Sequence, residues 1–325
     1  MGESVERYCV NIYDPATVNV AKYCDLGEKG VDPRRFVLYH DSQKDSPSYP
    51  YARLKPNSNL SWVEGFSLTR NEPVWVPANM VHLLNKPLTS DDRFEQCPIS
   101  GYACGNTLEE AILGGLLEVV ERDAFMIFWY HWLRAPGIDL TSVADVTTVA
   151  TLARFLESPV RLFCSDITTD AGIPVALAGL TSWRPGWPAT TVAMGAGLSL
   201  ERAVTHAFAE LSANLVLVAS HLQHLGQHVP SSPAEVVRME DHGLFYARPE
   251  MLPALDPLFR PTRWVSGPDV QVSHSSGDVK EDIEHCTARL EAIGLEVVVV
   301  NITVSGVSKH GLSVVKVLIP ENASD

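Results

Sequence analysis

Two stretches of this 325-residue chain carry the same arrangement of charge. Glu3, Glu6 and Arg7 in GESVERYC, and Glu118, Glu121 and Arg122 in LEVVERDA, both spell Glu-x-x-Glu-Arg among small and apolar neighbours. Residues three apart on a helix share a face, so each pair sets two carboxylates side by side, where they repel unless solvent, an arginine or a metal ion compensates. For one such pair a solvated helix face is the ordinary outcome, and Glu and Arg are common enough in helices for a chance repeat. Two pairs brought together would instead form a four-carboxylate site of hard oxygen donors, suited to Mg2+ bridging protein carboxylates and nucleotide phosphates.

A glycine-bearing loop, Ser100-Gly-Tyr-Ala-Cys-Gly105, precedes the second pair. Gly101 and Gly105 leave backbone N–H groups accessible and make room for an anion at the start of a helix. No Gly-Lys-Ser/Thr follows, so this is not a Walker A loop. Gly114, one turn before Glu118, is expected to leave the acidic face open.

The elements that must position these groups follow from periodicity. Thr107 with Glu110 predicts a capping box opening a helix to about Leu133, with Ile112, Leu116, Leu117, Val120, Ala124 and Phe128 at helical spacing and Pro136-Gly137 closing it. A second long helix is predicted from Glu201 to about Leu225, capped by Ser199 and stopped at Gly226, and a third from Glu281 to Ile293. Ser61–Pro77 reads as a hairpin turning at Thr-Arg-Asn-Glu, with Trp62 and Trp75 as packing residues. Arg161–Ser165, Ile173–Leu180, Ala189–Met194, Leu295–Ile302 and Ser313–Ile319 read as strands. The polar, proline-bearing stretch 230–276 is expected to be a surface insertion in one continuous α+β domain.

Composition bounds the function. With 25 Lys and Arg against 39 Asp and Glu, the net charge is -14, which argues against a nucleic-acid binder or a basic membrane-surface protein. The six cysteines are scattered without a Cys-x-x-Cys pair, and neither a signal peptide nor a bilayer-length apolar run is evident, so a reducing cytoplasmic setting is expected.

The string GYACGNTLEEAILGGLLEVVERDAF resembles the signature segment of YcaO-domain proteins, in which a Ser-x-Gly-x-Ala-x-Gly-like loop leads into an Ala-rich helix ending Glu-x-x-Glu-Arg. The resemblance extends over nearly the whole chain: to the hairpin Trp62 to Pro77, to Asp166-Ile-Thr-Thr-Asp with Gly172-Ile-Pro, and to Gly311–Pro320. The ERDAFMIFW continuation and Asp32-Pro-Arg-Arg-Phe36 are most similar to the cyclodehydratase branch, which makes azoline rings in ribosomal peptide natural products. The resemblance implies an α+β YcaO-like domain of mixed sheets packed with long helices, ATP and Mg2+ as cofactors, and Glu3, Glu6, Glu118, Glu121 and Glu210 as metal and nucleotide ligands. Arg7 and Arg122 would balance charge or meet phosphate, and Gly101 and Gly105 would give backbone access. The implied partners are a ribosomal precursor peptide and an E1-like, leader-binding protein, with a homodimer left open.

Several positions depart from the family pattern. Ala213 stands where Gln is usual, Leu215 near an expected Arg, Ile99 for a frequent Ser, and Lys316 for an Arg common in the last strand. The start at Met1 leaves the family's upstream glycine- and lysine-containing turn outside the chain, giving the expectation of an N-terminally truncated domain; the proline-rich tail is absent from the end at Asp325. These departures define an alternative: a degenerate, non-catalytic YcaO-fold protein that binds a peptide or partner subunit.

Three further groups are weighed. His221, His224 and His228 read as a solvated helix end rather than a metal site. His206 and Glu210, four apart, could share a hydrogen bond. Cys104, with no base placed to activate it, reads as a packing residue.

Overall fold

The computed structural model describes residues 2–12, 14–36, 39–83, 87–156, 158, 160–223, 228–266, 268–271 and 274–321. Among these, the helices of eight residues or more are α1 (Gly2–Val10), α2 (Leu108–Tyr130), α3 (Val146–Leu156), α4 (Leu200–Gln223), α5 (Met239–Tyr246) and α6 (Val279–Glu291). The strands are β1 (Asn19–Lys22), β2 (Asn59–Ser67), β3 (Glu72–Pro77), β4 (Tyr102–Gly105), β5 (Gly137–Ile138), β6 (Val160–Asp166), β7 (Val175–Ser182), β8 (Thr190–Ala196), β9 (Trp264–Val265), β10 (Val298–Asn301) and β11 (Ser313–Leu318). The chain divides into two compact units, residues 1–119 with 276–325, and residues 120–275, and is α+β throughout.

The first unit is built on an antiparallel sheet ordered β1-β2-β10-β11-β4, with β3 paired to β2. The predicted hairpin is present: β2 and β3 run antiparallel with Val63 opposite Val76. Trp62 is fully buried, its indole N–H donating to the Ala21 carbonyl at 3.0 Å and its ring stacking on Tyr23. Its partners are therefore β1 and the turn after it, while Trp75 pairs with Glu64. The valines of β10 and β11 place these strands in the middle of the sheet, where both faces are covered and the burial is continuous rather than alternating. Glu296, beside β10, is buried and accepts from the Ser67 hydroxyl at 2.6 Å and from Arg35 and Arg70 at 2.7 and 2.8 Å. Burial would raise its carboxyl, but the Ser67 hydroxyl and Arg35, with Arg70, hold it below the usual range.

The second unit has a five-stranded sheet ordered β8-β7-β6-β5-β9. The predicted hairpin β7–β8 is antiparallel, with Leu177 opposite Met194. Stretch 230–276, expected to be an insertion on the surface, is instead worked into this unit: β9 pairs in parallel with β5, and Leu255, Val265 and Val270 are buried. Gly137, expected to terminate the preceding helix, is the start of β5; a Cβ there would stand 2.8 Å from Pro261, so glycine admits the crossing segment. The helix itself stops earlier, at Tyr130, because Trp132 takes left-handed backbone with φ 51°.

α4 begins where predicted, the Ser199 hydroxyl accepting the Arg202 N–H at 3.2 Å. Leu225, Gly226 and His224 lie outside the described residues. This helix is long and apolar enough to cross a membrane by length and composition alone. Leu200, Ala203, Val204, Ala207, Phe208 and Leu211 bury one stripe in the sheet's core, as in an amphipathic core helix. Gly195 explains the close packing: a Cβ there would stand 2.4 Å from the Ala203 carbonyl oxygen and from the Ala207 nitrogen.

Candidate functional site

In the first unit, α1 is too short to be stable alone, and the buried Cys9 and Val10 anchor its last turn in the core. Arg7 pairs with Glu3 one turn back at 3.5 Å, with both side chains exposed. Glu6 is half-buried and accepts the Cys104 N–H of β4 at 2.9 Å. Burial pushes the Glu6 carboxyl above the usual carboxylate range; the Cys104 N–H and Arg7 pull the other way, while Glu118 and Glu3 add to the rise. Two neighbouring acids thus act on Glu6 in this unit, an electrostatic situation that a cation relieves.

The loop entering α2 is shaped by its two glycines. Gly101 has φ +87°, and a Cβ on it would stand 2.3 Å from the Val317 carbonyl oxygen. A Cβ on Gly105 would stand 2.5 Å from the Ala111 nitrogen. Glycine at both positions permits close backbone approach, and the loop amide of Cys104 is directed to Glu6. Thr107 Oγ1 accepts the Glu110 N–H at 3.1 Å, whereas the Glu110 carboxylate reaches back to the Asn106 N–H at 2.9 Å, one residue beyond the expected return of the capping box. The close approach that lets Glu118's helix lie against the sheet belongs to Gly115, not Gly114: a Cβ at Gly115 would stand 2.8 Å from Val317 Cγ2, while Gly114 is exposed and faces Ala103 at 3.4 Å.

Burial pushes the Cys104 thiol up, and Glu6 and Cys9 raise it further, as befits a packing residue rather than a nucleophile. Sequence reasoning noted Lys316 only as a replacement for Arg. It is fully buried on β11, and burial pushes its ammonium down to about 8.

In the second unit, Glu121 accepts the Ala196 N–H at 3.2 Å, and His206 Nδ1 meets the Ala196 carbonyl at 3.0 Å. Both backbone polar groups of one residue, Ala196, are thereby engaged by side chains. His206 is engaged there rather than with Glu210, which is exposed on α4, as are Arg122 and Ala213. The Ala196 contact was not legible, because nothing in the sequence pairs position 121 with position 196. His221 and His228 line a cavity of about 370 Å3 with Arg238, Glu240 and Leu244, and His228 pairs with Glu235 at 3.0 Å. Among the described residues, no three His, Cys, Asp or Glu side chains are gathered to hold a metal ion.

The sequence model of a family described as YcaO cyclodehydratase, ATP- and Mg2+-binding, matches residues 1–322. The chain belongs to the YcaO family. An uncharacterized protein of Methanothermobacter thermautotrophicus is 31% identical over 216 residues, covering 65% of this chain and 52% of the relative. A heterocyclase solved in complex with substrate and cofactor superposes with a TM-score of 0.80 at 26% identity, covering 98% of this chain and 42% of its own. A YcaO protein of Methanopyrus kandleri, solved with AMPPCP and Mg2+, shares the fold with a TM-score of 0.67 at 22% identity, covering 98% of this chain and 73% of its own. The present chain spans about half the length of the curated relatives it matches. Within the YcaO frame, the α+β architecture and the placement of both Glu-x-x-Glu-Arg segments on helices agree with the sequence expectation.

Proposed function

We propose that this YcaO protein activates backbone amides of a ribosomally made precursor peptide with ATP and Mg2+, converting Cys, Ser or Thr residues to azolines. Glu3, Glu6, Glu118, Glu121 and Glu210 are the proposed ligands of cation and nucleotide, with Arg7 and Arg122 as proposed charge balance or phosphate contacts and Gly101 and Gly105 as proposed points of backbone access. The observation that carries this reading is Glu6: a half-buried carboxyl raised by burial and by the charges of Glu118 and Glu3, a carboxylate of the hard-oxygen kind that Mg2+ takes. The likeness to a substrate-bound heterocyclase supports the peptide as substrate.

In the proposed reaction the substrate side chain adds to the preceding amide carbonyl, the amide oxygen receives the γ-phosphoryl group of ATP, and phosphate then leaves as the ring forms. Such chemistry needs positioning and charge neutralisation more than a protein nucleophile. Bound Mg2+ would neutralise the phosphate charge. The chain's own part is to hold the cation with its carboxylates and to keep the loop before α2 in one conformation. An E1-like protein that binds the leader peptide is the proposed partner, a second copy of the chain the proposed dimer mate, and the cytoplasm the proposed setting.

The alternative, a peptide- or partner-binding protein without catalysis, is favoured by one observation: Ala213 and Leu215 put no polar group where the third family motif has Gln and Arg. Incubation with the cognate precursor, partner protein, ATP and Mg2+, read by mass spectrometry and phosphate release, separates the two. Loss of one water per ring with stoichiometric ADP is expected; tight peptide binding with neither product would replace catalysis by the binding role.

A further inference from the structure

Lys316 is the largest charged side chain sealed inside the first unit, at 0% exposure, on β11 opposite Tyr102 of β4. An ammonium in that position is costly unless its donors are all engaged, and an apolar side chain would fill the space at less cost. Its Nζ donates to the carbonyl oxygens of Pro98 at 2.5 Å and Ser100 at 2.6 Å, and lies 4.0 Å from the centre of the Tyr102 ring. The Tyr102 ring is itself fixed, its hydroxyl donating to the Val81 carbonyl at 2.7 Å and lying 3.3 Å from Cys97 Sγ.

The two carbonyls belong to the turn that puts Gly101 at φ +87°. The next residue of β11, Val317, donates its N–H to the Gly101 carbonyl at 2.7 Å. Consecutive residues of one central strand therefore grip three carbonyls of the turn, one through a side chain and the other through backbone. The turn passes directly into Tyr102–Gly105, where the Cys104 N–H meets Glu6 and Gly105 abuts the first turn of α2.

We propose that Lys316 is a positioning residue for the acidic site: by holding the Pro98 and Ser100 carbonyls it fixes the turn that sets the Cys104 N–H against Glu6 and seats the start of α2. The titratable groups facing it are Cys97, Tyr102 and Glu118, of which Cys97 and Glu118 favour its charged form. For its activity readout the inference rests on the nucleotide-binding function proposed above.

The test uses the full chain and compares Lys316→Met with Arg70→Met, which removes a different cation of the same unit, one bound to Glu296 and Glu72 and touching no part of the turn. Amide hydrogen exchange over residues 98–105 and titration with Mg·ATP are measured where circular dichroism shows all proteins folded. Lys316→Met is expected to speed exchange at Gly101 to Cys104 and to weaken Mg·ATP binding, each by about tenfold, while Arg70→Met leaves both near wild type. If Lys316→Met does not fold, Lys316→Gln, neutral and one bond shorter so that its grip on the two carbonyls is weakened, takes its place with the same readouts. Wild-type exchange and affinity in the Lys316 variant, or equal losses in Arg70→Met, would overturn the proposal. A wild-type protein that binds no Mg·ATP would sink the nucleotide reading alone, since the exchange comparison still decides whether Lys316 holds the turn.

Discussion

The two Glu-x-x-Glu-Arg segments share their residues in order but not their surroundings. On α1, Arg7 folds back onto Glu3 in an exposed pair and leaves Glu6 to turn inward, half-buried on the Cys104 N–H. On α2, Arg122 is exposed, and Glu121 is engaged with a strand end through the Ala196 N–H. The difference lies in the helices: nine residues anchored by one apolar turn against twenty-three running through the fold. It teaches that equal spacing does not give equal roles. The second glutamate of each segment meets a backbone N–H, from a different strand in each case.

That contrast can be broken or sharpened by substitution. The largest effect is expected from Glu6→Gln, which keeps an acceptor for the Cys104 N–H but removes the charge. Mg·ATP affinity should fall by roughly 100-fold or more, since even outer partners of metal ligands are worth 10–100-fold. The same loss from Glu3→Gln would mean that exposure does not separate the two acids. Gly101→Ala, which forces a Cβ toward the Val317 carbonyl at positive φ, should cost about 3 kcal/mol and lower Tm clearly. An unchanged Tm would mean that the turn relaxes freely. Next comes pH. Because the Glu6 carboxyl titrates higher in the folded than in the unfolded protein, its contribution is fully present below the unfolded value near 4.5 and is lost as pH rises through the folded one. Stability without metal should therefore decline over that window, Glu6→Gln should flatten the decline, and Mg2+ should offset it in wild type only. The smallest change is expected from Arg7→Met: an exposed pair contributes about 0.2–1 kcal/mol, and the loss should shrink further in high salt.

Much of the architecture was legible. α2 and α4 repeat apolar residues at helical spacing behind recognisable caps, and β2–β3 alternate around a turn of the right chemistry. α3 was not: VTTVATLARFL is rich in β-branched residues and gives no helical expectation. What holds it is packing beside α4, with the Thr148 and Thr205 hydroxyls 2.8 Å apart. Segment 230–276 looks like surface because of its prolines and polar residues, yet Leu244, Phe245, Leu255, Leu258, Val265 and Val270 within it are buried. At the candidate site all the acids were visible as letters. Which of them is desolvated was not, because Glu6 owes its burial to β4, about a hundred residues away in the chain. Gly115 and Gly114 are likewise indistinguishable until Val317 is seen beside one of them, and a lysine in a strand gives no sign that it will be sealed beneath a tyrosine ring.

The central claim is that the acids of the first unit hold a cation-bound nucleotide, and calorimetric titration with Mg·AMPPCP tests it most directly. Wild-type protein should bind only when Mg2+ is present, and the Glu6→Gln/Glu118→Gln double variant should lose binding while its Tm stays at or above wild type, because two repelling acids have been neutralised. Wild-type affinity in that folded double variant would contradict the account.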